Sequence, residues 1–490
     1  MKKKFLAVLT LTLITLFSVA GLTACSGGEG GDSSHVHAFT KMDISKEYVK
    51  MEATCESPAV YYYSCACGKI GENTFEYGSA LGHNYENSVC KNCQAVKHSE
   101  GLEYTLINND TEYEVTGAGL CTDMIVSIPE THNGKRVTSI GANAFENRAP
   151  TISVVIPDSV TSIGDSAFYN CSLLTSVVIG DSVTSIGDRA FSGCTSLTSV
   201  EIPNSVTSIG GSAFSGCNKL NYNVKDGLKY LGNSANKYLY LAAVSTSITT
   251  ANIDINCKFI GRSAFLNCSS LTSVEIPDSV TSIGDSAFYS CSSLTSVVIP
   301  DSVTSIGSYA FSWCDSLTSV VIPDSVTSIG DYAFSNCSSL TSVEIPNSVT
   351  SIGVYAFHDC TSLTSIEIPD SVTSIGYFAF YNCTSLTSVE IGDSVTSIGY
   401  CAFYNCYSLT SVVIGDSVTS IGDRAFEDCS SLTSIVIPDS VTSIGESAFY
   451  GCDSLTIYCE AESKPIGWSY SWNYSNCPVV WDYDGQGVIN

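Results

Sequence analysis

The sequence predicts a repeat solenoid, an extended stack of short coils, and three observations predict it. An Ala-Phe pair recurs thirteen times, its phenylalanines running from Phe145 to Phe214 and from Phe265 to Phe449, each 23 residues after the last except across one gap of 51. The apolar positions between those pairs keep their type and spacing in almost every copy: Val160, Ile163, Ala167, Phe168 and Cys171, then Leu174, Val177 and Ile179. A unit this short cannot enclose a core alone, so each copy must cover the apolar flank of the next.

Taken from the N-terminus, Lys2, Lys3 and Lys4 precede an apolar run from Phe5 to Ala20, and Leu22-Thr23-Ala24-Cys25 has the form of a lipobox. Residues 1–25 therefore read as a lipoprotein signal peptide with Cys25 as the lipidation site, ordinary signal cleavage nearby being the alternative. Residues 26–34, rich in Gly and Ser, read as a flexible tether. No other apolar run approaches the roughly 20 residues that span a bilayer. The expected location is extracytoplasmic, with the membrane reached through the lipid anchor only.

Residues 35–99 differ in kind, holding four of the six histidines and five of the 23 cysteines. Imidazoles and thiolates so concentrated are the ligands of tetrahedral zinc, and Cys90 and Cys93 have the spacing at which one metal takes two sulfurs from a tight turn. His37 with Cys55, Cys65 and Cys67 forms one candidate set, and His83 with Cys90 and Cys93 the second, His98 being a spare. A structural zinc knuckle and a disulfide framework account equally for this composition, because a short extracellular module builds little core of its own. Catalytic zinc is not indicated, since no acidic residue sits beside a metal-binding helix motif.

Residues 100–136, with Tyr104, Tyr113 and Val115 in strand-like alternation, read as a cap on the first coil. The solenoid itself runs over 137–456. The gap near 218–262 keeps apolar stretches such as Tyr238 to Leu241 and reads as degenerate coils with a small insertion. Within a coil, the turns are written by Pro or Gly before Asp-Ser or Asn-Ser, and by Gly164 and its equivalents. Twelve cysteines, Cys171 to Cys452, share one coil position, where the inter-strand spacing of about 4.8 Å exceeds the Cβ separation a disulfide needs. They read as buried free thiols, small hydrophobes in a ladder. The tail, 457–490, carries Trp468, Trp472 and Trp481 and reads as the C-terminal cap, with Cys459 and Cys477 expected to be disulfide-bonded.

Leu174, Val177 and Ile179 follow the L-x-x-L-x-L spacing of a leucine-rich repeat strand, and the 23-residue repeat resembles the BspA-like subgroup of that family over residues 137 to 455. Departures are few: Arg148 stands in place of the first coil cysteine, and Gly180, Gly392 and Gly415 in place of the usual proline. The resemblance implies a right-handed leucine-rich repeat solenoid with a parallel β-sheet on the concave face and short strands and helical turns on the convex face. It also implies a bacterial surface protein with a role in adhesion or protein binding.

The net charge of −27 argues against nucleic acid and anionic lipid as partners, since both require basic surface. An enzyme is not indicated either. Only His132 and His358 fall outside the N-terminal module, and neither lies in a nucleophile motif; His358, in a position held by Tyr169, Ser192 and Glu427 elsewhere, reads as a plain surface residue. The expected working face is the strand face, where one outward position varies between valine and glutamate. Glu344, Glu367 and Glu390 form an acidic band there, flanked by Val321 and Val413, which suits a basic segment of a protein or host extracellular-matrix ligand. Neutral drift at a tolerant site is the alternative.

Two further rows have weaker readings. The turn aspartates, Asp158 to Asp439, read as caps on backbone amides, with weak divalent-cation binding as the alternative. Tyr169, Tyr289, Trp313, Tyr381, Tyr404 and Tyr450 read as decoration of the opposite face, suited to glycan stacking. The readings of function are thus a non-catalytic adhesin, a carbohydrate-binding surface module, or a passive spacer. No cofactor is expected for the solenoid.

Overall fold

The computed structural model describes residues 41–484, apart from 43, 45, 55–56, 65–69, 78, 81–84, 87–88 and 91–96. Cys25 and the candidate ligands His37, Cys55, Cys65, Cys67, His83 and Cys93 lie outside the described residues. Cys90 is described as backbone only, on a short strand Val89–Cys90 that pairs with Tyr85–Glu86. The chain divides into two compact units between Ala95 and Val96.

In the smaller unit Ala59–Ser64 is the central strand, antiparallel to Lys41–Met42, Val49–Met51 and Ile70–Tyr77. Its run of Val60 and three tyrosines suits a pleated surface. Phe75 is buried beneath Tyr61 and Tyr63, whose ring centroids lie 5.8 and 4.8 Å from it.

The larger unit is the predicted solenoid. The coil built around Phe357 shows how each repeat is made. Strand Ser342–Glu344 pairs in parallel with Ser319–Val321 of the preceding coil, and Ser351–Ile352 pairs with Ser328–Ile329 before it and Ser374–Ile375 after it. Leu340, Val343, Ile345, Val349, Ile352, Ala356, Phe357 and Cys360 all point inward and are buried. The repeat phenylalanines stack in two series, Phe145 to Phe214 and Phe265 to Phe449, with ring centroids 4.7–5.7 Å apart and planes within 13° of parallel. Burying each such ring contributes roughly 1.5–3 kcal/mol, and the contact exists only because the neighbouring coil is present.

Serine and threonine dominate the polar positions for a physical reason. Backbone carbonyls facing the next coil keep a lone pair that backbone amides do not use, and short hydroxyl side chains reach it across one coil spacing. Thr364 and Thr387 donate to the carbonyls of Thr341 and Thr364, and Ser348 to that of Val326. A low charged fraction follows from that role.

The helical turns implied for the convex side are single turns, such as the one closed by the amide of Ala356 on the carbonyl of Gly353; among the described residues that side holds no helix. Tyr355 and Asp359, two residues before and two after Phe357, adopt left-handed φ of 57°. Alternate amides, those of Phe357 and Asp359, donate to Ala379 and Tyr381 of the next coil at 2.8 and 2.9 Å. A helix needs consecutive right-handed residues donating four back along the chain, so these remain turns.

The segment 218–262 differs from the coils around it. Asn223–Lys225, Leu228–Leu231 and Tyr240–Val244 form an antiparallel meander, and its last strand rejoins the stack in parallel with Phe259–Ile260. Asp226 and Gly227, at φ 50° and 81°, make the two-residue turn that the twist of a hairpin favours. Tyr240 then abuts Phe214 edge-on at 5.7 Å in place of a stacked phenylalanine. Lys225 pins the meander to the coil, its Nζ 2.7 Å from Oδ2 of the buried Asp254.

At the two ends, other residues close the apolar cross-section. Strand Glu112–Gly117 pairs in parallel with Lys135–Ile140, and Arg148 donates to the carbonyl of Cys121 at 2.6 Å. At the far end Trp472 stands edge-on to Phe449 at 6.0 Å, and the indole of Trp468 donates to the carbonyl of Val441. The expected Cys459–Cys477 disulfide is corrected: both thiols are free and buried. Cys477 continues the ladder instead, its Sγ 3.4 Å from the carbonyl oxygen of Cys452, because the tail completes one more coil.

Candidate binding face

On the strand face, alternation sends Val343 and Ile345 into the core and leaves Glu344 between them outside. The same geometry exposes Glu367, Glu390, Val298, Val321 and Val413. Register places them side by side: Val298 beside Val321, Val321 beside Glu344, Glu367 beside Glu390 and Glu390 beside Val413. The five candidate residues Glu344, Glu367, Glu390, Val321 and Val413 thus share one face. Val321 and Val413 are 62% and 54% exposed, well above what a side chain serving only the core would show.

No described lysine, arginine or histidine forms an ion pair with the three glutamates. Carboxylates one coil apart in water repel by about 1 kcal/mol, which a cationic partner would relieve. The turn aspartates have a different task. Oδ1 of Asp158 accepts from the amide of Asp181 at 2.8 Å, and Oδ1 of Asp370 from that of Asp393 at 2.8 Å. Each of these two carboxylates caps the next coil, as does that of Asp393.

The opposite face carries an aromatic row that sequence reasoning missed. Tyr309, Tyr332, Tyr355 and Phe378 stack at 4.4, 4.6 and 4.4 Å, each with left-handed φ. The signal was an aromatic side chain two residues before the repeat phenylalanine in four successive coils. Tyr381 and Tyr404, 4.9 Å apart and 6° from parallel, cover one another's faces.

His358 is corrected from a plain surface residue to a member of this cluster. Its ring stacks on Tyr381 at 5.0 Å and meets Tyr355 edge-on, and its side chain is 21% exposed. Burial pulls its pKa below the usual histidine range, with Asp359 opposing. Asp359 Oδ2 at 3.2 Å and Ser335 Oγ at 3.4 Å both approach Nδ1. A relay from hydroxyl to carboxylate uses both ring nitrogens; here two groups compete for one.

The family described as the BspA type leucine-rich repeat region, a unit of six copies, matches residues 125–242, 240–364 and 350–477. The chain belongs to the BspA-type leucine-rich repeat family. Its solenoid is similar to a leucine-rich repeat protein from Bacteroides ovatus, at 30% identity over 78% of this chain and 98% of that one, with a TM-score of 0.42. It is also similar to a leucine-rich cell surface protein from Faecalibacterium prausnitzii, at 32% identity over 74% and 94%, with a TM-score of 0.32. A leucine-rich repeat protein from Eubacterium ventriosum matches at 22% identity over 76% and 96%, with a TM-score of 0.36. No curated protein matches. The BspA-type repeat accounts for the parallel coils and for the core rows of Leu, Val, Ile, Phe and Cys.

No helix among the described residues is long and apolar enough to cross a membrane.

Proposed function

We propose that this chain is a non-catalytic surface protein that captures a protein ligand, such as a host-matrix component, along its strand face. One observation carries the reading: three exposed glutamates, unpaired among the described residues, lie between exposed valines on successive coils. A basic segment flanked by apolar side chains complements that strip in charge and in polarity. The Faecalibacterium relative is described as a cell surface protein, which supports an extracytoplasmic location. The lipobox supports anchoring through Cys25. For residues 35–99 the composition supports a structural zinc knuckle or disulfides, and metal analysis with thiol counting on the full chain separates the two.

The test of the binding face is the triple variant Glu344→Lys, Glu367→Lys, Glu390→Lys. Capture of extracellular-matrix proteins by the full chain is expected to weaken roughly tenfold or more and to lose its salt dependence. Unchanged capture at an unchanged melting temperature rejects this face.

A further inference from the structure

On the side of the solenoid formed by the Ser-Ile-Gly strands, a groove of about 510 Å³ runs across successive coils. Its floor carries Ser374, Ser397, Ser420 and Ser443, and its wall carries Val354, Tyr377, Tyr400 and Asp423. The wall position, three residues before the repeat phenylalanine, is occupied by aspartate at both ends of this stretch. Oδ1 of Asp331 accepts from the amide of Val354 at 2.7 Å, and Oδ1 of Asp423 from that of Glu446 at 2.7 Å. Between them Val354, Tyr377 and Tyr400 offer no carboxylate. The amides of Tyr377, Tyr400 and Asp423 consequently donate no hydrogen bond among the described residues.

Three successive backbone donors are therefore left open along one groove, beside four serine hydroxyls that form no side-chain hydrogen bond among the described residues. Tyr377 is 59% exposed, and its ring stacks on no other described ring. An open donor row, a hydroxyl row and a free aromatic face are what a sugar chain uses: oxygens for the donors and a C–H face for the ring. The lining contains no basic residue and includes Asp423, which disfavours an anionic chain. The donors recur once per coil, a spacing marked by the neighbouring phenylalanine rings at 5.2–5.7 Å. An extended peptide rises about 3.3 Å per residue and falls out of phase, whereas an equatorially linked pyranose chain advances by close to one coil per sugar.

We propose that this groove binds a neutral, linear, β-linked polysaccharide laid along the stacking axis, one sugar to a coil. The site is separate from the glutamate strip and does not rest on the reading given to it.

The experiment is calorimetric titration of the full chain with hexasaccharides of β-1,4-linked glucose and of β-1,4-linked N-acetylglucosamine. Saturable binding of at least one is expected, weakened roughly tenfold by Tyr377→Ala, the loss of about one aromatic contact. The double variant Tyr377→Asp, Tyr400→Asp should abolish it. That variant restores the residue that Asp331 and Asp423 already supply in neighbouring coils, so its fold is safeguarded and a melting curve confirms it. No saturable binding of either sugar, or undiminished binding by the double variant, overturns the proposal. Tyr377-dependent binding of an extended neutral peptide, with neither sugar bound, overturns it as well.

Discussion

The thiol sulfur of Cys360 lies 3.2 Å from the carbonyl oxygen of Phe334, in the coil before it. That oxygen also accepts the amide of Cys337 in its own coil, so one carbonyl serves two coils with its two lone pairs. The contact recurs at Cys171, Cys314, Cys383 and Cys452, among others. It explains why the ladder holds cysteine: a small apolar side chain with a weak donor fits where alanine would leave the second lone pair and a void.

Replacing Cys360 with alanine is expected to destabilise the solenoid by about 1–2 kcal/mol, read from the urea midpoint. Burial pushes the Cys337 thiol up to about 12 and holds Cys360 well above the usual thiol range. The thiolate is the reactive form, so ladder thiols should resist alkylation at mildly alkaline pH until the chain unfolds. Equal rates in native and unfolded protein would contradict the ladder.

Gly399 is predicted to tolerate no side chain. A Cβ there would lie 2.7 Å from the carbonyl carbon and oxygen of Gly376 and 2.8 Å from the oxygen of Ile375. All three are backbone atoms and cannot rotate away. Gly399→Ala should cost about 1–3 kcal/mol by overpacking, visible as a lowered melting temperature.

His358 gives a pH dependence whose sign follows from burial. Its folded pKa lies below the 6.5 of the free side chain, so the unfolded chain binds the proton first as pH falls. Its contribution to stability is complete above about 6.5 and is lost as pH drops through the folded value. Between pH 8 and about 5, the urea midpoint of the native sequence should therefore fall further than that of His358→Phe. Equal falls would show that the ring titrates as though free.

Trp472 covers the last phenylalanine of the stack. Trp472→Ala should cost about 3–5 kcal/mol, concentrated in the final coils, where amide exchange should accelerate. Exposed coil edges also template further pairing, so light scattering should detect end-to-end association that the native protein lacks.

The core was legible in advance because inward positions must repeat. Phe145 to Phe449 and the twelve ladder cysteines are the same residue in coil after coil, each covered by its counterpart in the neighbouring coil except where Tyr240 or Trp472 takes that place. Surface positions carry no such constraint, so the row of Tyr309, Tyr332 and Tyr355 is recognised only from the stacking of its rings. The Asp226-Gly227 hairpin turn is written plainly but sits inside a gap whose length and apolar stretches read as degenerate coils. The disulfide expected from Cys459 and Cys477 failed because two cysteines in a tail reveal their number and not the coil they complete.

Taken alone, the residues determined the period, the inward set and the strand face with its glutamates, since a short unit with a fixed apolar spacing has one way to bury it. What only the tertiary structure decided is what happens between coils. Whether Asp423 caps an amide, whether Tyr377 leaves one open, and whether Tyr381 shows its face or its edge depend on the residue one coil away, 23 positions distant in the chain and next to it in space.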